Sequence, residues 1–543
     1  MNIQRIQEKL VQWAVSIGGM ALALFLVHLA AKGKMGIIAG TFGGAAIAAL
    51  LFIMRERIWV LVPMAWSLSG RIPALQIPLT ARDIFVIATF GMFLTLKAFK
   101  RITRATKWDF VSTCALLMLF YVGIAWIRNP TGFQALESAR VGGRPYFDIF
   151  IGALACWMLR QCSLSEKSPN ILAGTILASK LFEGVVAQIV AWLPVLIPIV
   201  SEYYDCPSFT WTKSNDDVLL PPGEEAYRRL GYLTALGVPL ALYVVSSIRP
   251  LSMLTIRRWY YPVLYIFAII CVFLSGFRSV LMWVIVVTML GSYFRKGWSD
   301  VLKFFLIGVL TLFILVSGQG TLFNLPQSAH RALSFLPGKW DQAAVEDAAG
   351  STEWRVQMWK EMLGSNRYIE NHMWGDGFGL RKRDLEIIDF NLAHGSAQDQ
   401  QENFMITGGV HSGPVSTIRS LGYVGLLVLL VFTSAIAVRA YKIIRRAMGT
   451  PFQRLAFFLC LPSVVEPVFF VFVFGAPEES IPGGLFAMGI LQMLKNSLDD
   501  YQKVDVLADP LSAPEASAPA SRGELKNTPD LRPPRRRAPA ATA

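Results

Sequence analysis

Long apolar runs recur along the chain, and they limit its fold more than any other feature. Runs of roughly 18–20 residues can cross a hydrocarbon core of ~30 Å as helices. Backbone groups inside lipid must be hydrogen-bonded within the protein, which favours a helical bundle. The composition, 54% hydrophobic and 16% charged, agrees with this. We therefore predict an all-α, polytopic transmembrane bundle of about 12–14 spans with one large external, partly helical loop.

The apolar runs also give the approximate position of each span. The third and the last are short, which is typical of re-entrant or broken helices. Pro194 and Pro198 predict a kink or an interfacial helix at the outer end of the seventh. The predicted spans lie near 13–31, 36–53, 58–69, 84–97, 109–127, 146–159, 171–197, 230–248, 260–275, 279–294, 302–317, 413–438, 455–474 and 484–495.

Lys and Arg residues predict the orientation of the bundle. Alternate short connections are rich in these residues, which places them and both termini in the cytoplasm. The net charge of +14 then reflects this bias and contacts with membrane lipids, and we predict no nucleic-acid partner. The first apolar run lacks a small-residue cleavage site, so we expect a retained span.

The chain divides into five predicted segments. They are N-terminal transmembrane helices (1–199), central helices with a first external loop (200–317), a large external loop (318–412), C-terminal transmembrane helices (413–498) and a disordered cytoplasmic tail (499–543). The tail is rich in Pro, Ala, Ser and Arg and cannot bury a core.

The large loop contains signals of ordered structure. Ser351 looks like a helix start, and an apolar stripe follows at helical spacing. A glycine-rich stretch at 375–379 is interpreted as a turn, because it follows no strand and opens no clear helix. The stripe consists of Trp354, Met358, Trp359 and Met362.

Cysteine usage gives no sign of a metal site or of a disulfide framework. The six cysteines are scattered, and none forms a CxxC or a Cys/His ligand pattern. We predict no metal ligands and no cofactor.

His411 lies where the large polar loop ends and a span begins. Imidazole titrates near neutral pH, which makes a histidine at a water–lipid boundary a candidate general base. The alternative is an interfacial histidine that only caps a helix.

Four arginines are predicted at the outer ends of spans, against the usual charge bias. Arg228 and Arg229 end the first external loop, Arg278 lies in a tight turn, and Arg355 lies on the predicted loop helix. Guanidinium groups match phosphate oxygens in a bidentate fork, so the four predict a diphosphate site. Ion pairs with nearby acids or contacts with lipid headgroups are the alternative.

Three further residues are candidates for lining a substrate cavity: Trp359, Arg419 and Glu183. Lys180 is three residues from Glu183 on one helix, so the two are also expected to neutralise each other. Asp148 is interpreted as an isolated acid inside a span, and ionisable groups inside spans are functional candidates.

The sequence around His411 resembles the O-antigen ligase and polymerase superfamily of bacterial envelope enzymes. The pattern H-[NSQ]-x9-G-x-x-[GTY] is matched by His411-Ser412, nine residues, and Gly422-Tyr423-Val424-Gly425. Three further features support the likeness: Arg278 in a short turn, Arg355 followed by Trp359, and the glycine-rich stretch. It covers roughly 200–440. Many relatives carry an acid where this chain has Ser420, which leaves the acceptor open.

The resemblance implies a metal-independent glycosyltransferase in the bacterial inner membrane, acting on the periplasmic face. Its donor would be an undecaprenyl-diphosphate-linked oligosaccharide, and its acceptor a glycan or a lipid. His411 would take the acceptor proton, and Arg229, Arg278 and Arg355 would hold the diphosphate.

Several alternatives stay open. Ligase and polymerase are not separated, and neither the sugar nor the oligomeric state can be predicted. A transporter or flippase of an anionic lipid-linked substrate would need polar residues through the bundle and broken helices. A scaffold without activity is the third alternative.

Overall fold

A computed structural model of the chain describes residues 41, 43–45, 49, 54–73, 77–102, 104, 108–132, 140–206, 230–254, 259–325, 327–394 and 397–508. The first predicted span, nearly all of the second, Arg228, Arg229 and the tail after 508 lie outside the described residues. The chain divides into two compact units, Met1–Leu498 and Asp499–Ala543, each with contacts mainly within itself. Within the described residues the regular structure is helical, with no β-strand.

The α-helices are α1 (Leu61–Ala65), α2 (Ala81–Ala98), α3 (Phe110–Arg128), α4 (Arg144–Leu159), α5 (Pro169–Trp192), α6 (Ile197–Tyr203), α7 (Thr234–Ser247), α8 (Tyr260–Leu274), α9 (Arg278–Lys296), α10 (Trp298–Gly318), α11 (Gln327–Leu333), α12 (Gln342–Gly364), α13 (Lys382–His394), α14 (Ala397–Thr407), α15 (Gly413–Ala447), α16 (Gln453–Phe472) and α17 (Pro477–Ala508). Short 3₁₀ helices cover Arg55–Val60, Pro194–Leu196, Gly231–Leu233 and Pro250–Leu254.

Six of these helices, α3, α5, α9, α10, α15 and α16, are long and apolar enough to cross a membrane. The case of α10 is the clearest, because its mean hydropathy is 2.4 and only 6% of it is buried inside the protein. So large an exposed apolar surface needs lipid around it. The chain is a multi-pass membrane protein, and the predicted all-α polytopic bundle is confirmed.

Proline determines where two of the helices end or begin. Helix α5 ends at Trp192, and the 3₁₀ helix Pro194–Leu196 and α6 follow. The end of α5 confirms the predicted break. Proline causes it, because proline lacks the N–H group that would continue the helical hydrogen bonding. The short last span was placed wrongly, because α17 is longer than 484–495 and begins at Pro477. Proline and the two acids after it are favourable in a first turn, but they interrupt the apolar window.

Buried charges near one end of the bundle neutralise one another. The Asp148 carboxylate lies 2.5 Å from the Arg82 guanidinium and 2.9 Å from that of Arg144, which also binds Asp83 at 2.6 Å. Asp148 is therefore a structural ion-pair partner that joins α2 to α4, and the expectation that it stands alone is wrong.

The large loop is folded and packs onto α15. Its apolar stripe is confirmed, because Met358 and Met362 are fully buried in a cluster that includes Val415 and Ile418 of α15. The predicted start at Ser351 is wrong, since α12 begins at Gln342. The residues in between are mostly Ala, Glu and other helix-compatible residues, and they extend the helix toward the N-terminus.

The glycine-rich turn docks into a break in α15. Gly422 has φ 68° and ψ −178°, which only glycine adopts readily. The amides of Tyr423 and Val424, freed by the break, donate to the carbonyls of His372 (2.8 Å) and Met373 (3.2 Å). In return Gly377 N–H donates to the Ser420 carbonyl at 2.8 Å. The loop thus satisfies the backbone groups that the break exposes.

Candidate active site

His411 occupies a strained junction between α14 and α15. Its φ is 54°, and it is one of two non-glycine residues in the described chain with a positive φ. Such a conformation is uncommon for a non-glycine residue and is concentrated at functional sites. Ser412 caps α15 by accepting from the Val415 amide at 3.5 Å. Asn and Ser are favoured caps, which explains the residue type that follows the histidine.

Aromatic rings from three segments surround the half-buried imidazole. Its ring centroid lies 6.1 Å from that of Trp354, 5.8 Å from Phe404 and 5.7 Å from Phe474. The indole N–H of Trp359 donates to the Val410 carbonyl at 2.8 Å. Helix α12 is therefore held directly against the histidine, and the predicted position of Trp359 near the site agrees with this contact.

Two arginines pack against the glycines that precede His411. A Cβ on Gly408 would lie 3.0 Å from Cδ of Arg419, and a Cβ on Gly409 would meet the Arg140 guanidinium. Neither guanidinium forms a hydrogen bond or an ion pair with any residue that the structure describes. Arg419 is only 5% exposed. Among the described residues neither guanidinium is hydrogen-bonded to an anion, so each can pair with an anion of a ligand.

Two acids in the first turn of α17, the buried Glu478 and its neighbour Glu479, contribute negative charge near the histidine. Glu478 interacts electrostatically with Arg140 and Arg419, and Glu479 interacts with Arg140. In the described part of the chain, neither acid lies within ion-pair distance of Arg140 or Arg419. The local charges are thus mixed, with both signs buried at one mouth of the bundle.

A cavity of about 430 Å³ begins beside Phe474 and extends into the bundle; we call it the central cavity. Its wall is mostly apolar, with Trp66 stacked on Phe486 at 4.3 Å. Since Phe474 also contacts the imidazole, the central cavity adjoins His411. Its polar lining includes Lys180, Glu466, Glu479 and Ser480.

A second cavity, of about 440 Å³, lies between the large loop and α3; we call it the loop cavity. Burial and the nearby Glu361 carboxylate raise the pKa of Tyr368 to about 12, so its phenol remains protonated. The polar side chains that line the loop cavity are Arg128, Asn129, Tyr368, Glu370, Asn371, Asp376, Arg381, Asp384 and Arg419.

Arg278 and Arg355 are the predicted arginines that the structure describes, and both lie at the end of the bundle that carries the large loop. Arg278 is the first residue of α9, after a turn in which Gly276 has φ 75°. Helices α9 and α10 pack as a pair joined by one residue, so Arg278 lies near the end of α10, where the loop begins. Arg355 follows Trp354 on α12. Arg228 and Arg229 lie outside the described residues.

Glu183 holds two segments of the bundle together through hydrogen bonds. The predicted ion pair with Lys180 does not form. Its carboxylate accepts from the Ser69 amide (2.5 Å), the Ser69 hydroxyl and the Gly70 amide, and from the Tyr204 hydroxyl at 2.6 Å. These bonds hold the turn after α1 against α5. Lys180 instead lines the central cavity.

Sequence analysis missed Arg140, Glu478 and Glu479. Arg140 falls between two spans without a motif around it, and only its contact with Gly409 brings it to the site. The two acids follow Pro477, and an N-terminal proline before acids was the available signal for a helix start there. No cluster of His, Cys, Asp or Glu among the described residues could hold a metal ion.

The chain was compared with known proteins. A family model described as O-Antigen ligase matches residues 263–430. The match extends from within α8 through the large loop into α15, and it contains Arg278, Arg355, His411, Arg419 and Gly422. No curated protein matches the chain. The match covers less than half of the chain, and over that region the chain is similar to the O-antigen ligase family.

Proposed function

We propose that this protein is a metal-independent glycosyltransferase that transfers or polymerises undecaprenyl-diphosphate-linked glycan on the periplasmic face of the bacterial inner membrane. One observation carries the proposal: a strained histidine lies beside two buried or half-buried arginines at the mouth of a largely apolar cavity. A lipid-linked diphosphate donor has the same division into an apolar tail and a charged head.

The reaction assigns a separate task to each group. The oxygen of an acceptor hydroxyl attacks the anomeric carbon of the donor sugar, and the bond from that carbon to the diphosphate oxygen breaks. His411 takes the hydroxyl proton, and the diphosphate leaves with the bonding electron pair. Arg278 and Arg355 hold that diphosphate and offset the charge that develops on it. Arg140 is a further candidate for this task, since it packs against Gly409, two residues before His411.

The positive φ of His411 determines which substitution can test its role as the general base. Asparagine tolerates a left-handed conformation better than alanine does, so His411→Asn keeps the junction while removing the base. We expect glycan output in a deletion strain to fall about 10²–10⁴-fold, the usual contribution of a general base. The amount of inserted protein and its thermal midpoint should match the wild type.

A second histidine on the large loop provides the control. His372 contacts α15 through its carbonyl, which accepts from the Tyr423 amide, so His372→Asn leaves that bond in place. We expect this variant to give near-normal glycan. Normal output from a well-expressed His411→Asn protein would show that His411 is not the base.

A transporter or flippase is the second candidate, and one observation favours it. Lys180 and Glu466 line a cavity inside the spans, where ionisable groups commonly serve translocation. The glycan that accumulates in a deletion strain separates the candidates. Long unligated chains on the carrier indicate a ligase, single repeats indicate a polymerase, and substrate left facing the cytoplasm indicates a transporter.

A further inference from the structure

The loop cavity contains a buried guanidinium that forms no hydrogen bond with any residue in the described part of the chain. Arg419 is 5% exposed, and its Nε is fully buried without a hydrogen-bond partner. Its side chain forms no hydrogen bond or ion pair with the residues that the structure describes. A buried polar group without a partner is unfavourable, and more so when it is charged. A ligand that pairs with Arg419 would offset that cost.

The acids around the cavity are already engaged by other groups. Asp376 accepts from the amides of Glu370 (2.8 Å) and Asn371 (3.0 Å). Asp384 binds Nε of Arg381 at 2.9 Å, and Glu370 pairs with the same guanidinium. The acids interact with Arg419 only through longer-range electrostatics. Arg128 also lines the cavity but is exposed and donates to the Trp374 carbonyl at 3.2 Å. Arg419 is therefore the buried cation of this cavity with which a ligand can pair.

The remaining lining is chemically suited to a sugar. The Tyr368 hydroxyl and the side-chain amides of Asn129 and Asn371 offer neutral hydrogen-bonding groups beside the arginine. A volume of about 440 Å³ falls within the ~300–1,000 Å³ that small-molecule sites occupy. Neutral donors and acceptors with one buried cation match a sugar that carries an oxyanion.

The geometry also connects this cavity to the proposed site. Arg419 lies eight residues after His411 in the first part of α15, and its Cδ packs under Gly408. The Asp376 amide donates to the Arg419 carbonyl at 2.9 Å. The glycine-rich turn therefore contacts α15 and also lines the loop cavity. A glycan that reaches His411 from the loop side can therefore place a sugar in the loop cavity.

We propose that the loop cavity binds an acidic sugar of the glycan, with the Arg419 guanidinium paired to its oxyanion. This inference rests on the proposed function, because it specifies the glycan that the same site handles. The oxyanion is either the carboxylate of a uronic acid or a phosphate on the sugar. Both present oxygens that a guanidinium fork binds in a bidentate manner.

Binding measured by calorimetry on the purified full-length protein in detergent tests the proposal. The probes are a glucuronate–glucose disaccharide, glucose 6-phosphate and neutral cellobiose. We expect one of the two anionic probes to bind at least about tenfold more tightly than cellobiose, as one charge-assisted hydrogen bond allows. The stronger anionic probe identifies the oxyanion. Equal binding of all three probes would overturn the proposal.

Two variants show whether Arg419 is responsible. Arg419→Met removes the unmatched charge at similar volume, so it should abolish the preference for the anionic probe while its thermal midpoint without ligand equals or exceeds the wild type. Arg367→Met on the same loop removes a 55% exposed arginine paired with Glu402, and it should keep the preference. A retained preference in a folded Arg419→Met protein would refute the assignment.

The same assay separates this proposal from the proposed function. His411→Asn should bind the anionic probe as the wild type does, because His411 does not line the loop cavity. A wild-type protein that binds the probe but transfers no glycan would overturn the glycosyltransferase while supporting the sugar site. A wild-type protein that transfers glycan but does not prefer the anionic probe would overturn the sugar site while supporting the glycosyltransferase.

Discussion

Gly422→Ala should separate the large loop from the bundle without changing any proposed catalytic side chain. A Cβ at this position would lie 2.5 Å from the Gly375 nitrogen and closer still to the Met373 carbonyl. All of these neighbours are backbone atoms, so no side-chain rotation can relieve the overlap. Docking of the glycine-rich turn must be lost or distorted.

The magnitude follows from the contacts of the turn. The φ of 68° is costly for any residue with a Cβ, by about 1–3 kcal/mol. Two to four of the inter-segment hydrogen bonds at 372–377 and 419–424 would also weaken, at about 1 kcal/mol each. The sum is about 3–7 kcal/mol, which shifts the docking equilibrium by about two to five orders of magnitude.

Limited proteolysis of the large loop, measured beside glycan output, provides the assay. Gly422→Ala should be cleaved within 319–412 far faster than the wild type and should lose product. Gly123→Ala is the matched control, because Gly123 also lies in a membrane helix, α3, and a Cβ there meets nothing within 4 Å. Wild-type protection and wild-type output in Gly422→Ala would refute the docking argument.

The remaining predictions concern two residues with opposite expected roles. Arg278→Lys keeps the charge but loses the planar fork, so transfer should fall about tenfold or more in a steady-state assay with lipid-linked donor; full activity would remove Arg278 from the diphosphate site. Glu183→Ala should lower stability by about 2–4 kcal/mol through its lost hydrogen bonds, seen as a lower thermal midpoint, while the folded fraction keeps its transfer rate. An unchanged midpoint with lost transfer would instead assign Glu183 to the substrate.

The spans were predictable because lipid imposes one rule on every residue of a segment. Apolar length alone located α3, α9, α10 and α16 to within a few residues. That rule fails where a helix continues beyond the apolar region. Helix α12 extends back to Gln342 through residues that favour helix without forming a stripe, and α17 begins at Pro477 outside its apolar part.

The site was predictable only in its local part. The position of His411 between a polar loop and an apolar run made it a candidate, and the apolar stripe of the loop helix did the same for Trp359. Arg140 could not be identified, because the contact that matters joins it to Gly409 more than 260 residues away in sequence. Glu183 was assigned to a cavity because an acid inside a span is a functional candidate. Its carboxylate is occupied by backbone amides that the sequence does not bring near it.

The spacing of the histidine motif has a structural explanation. Ser412 caps the first part of α15, and Gly422 breaks the helix where the loop docks, so the nine residues between them form a helical segment of about 14 Å at 1.5 Å per residue. Gly425 then lets the Tyr121 ring approach, and the Tyr121 hydroxyl donates to the Leu421 carbonyl at 2.7 Å. One residue more or fewer would turn the imidazole by ~100° relative to the docked loop. The motif therefore defines the distance and the angle between His411 and the loop that supplies Arg355, which is why its spacing specifies the site.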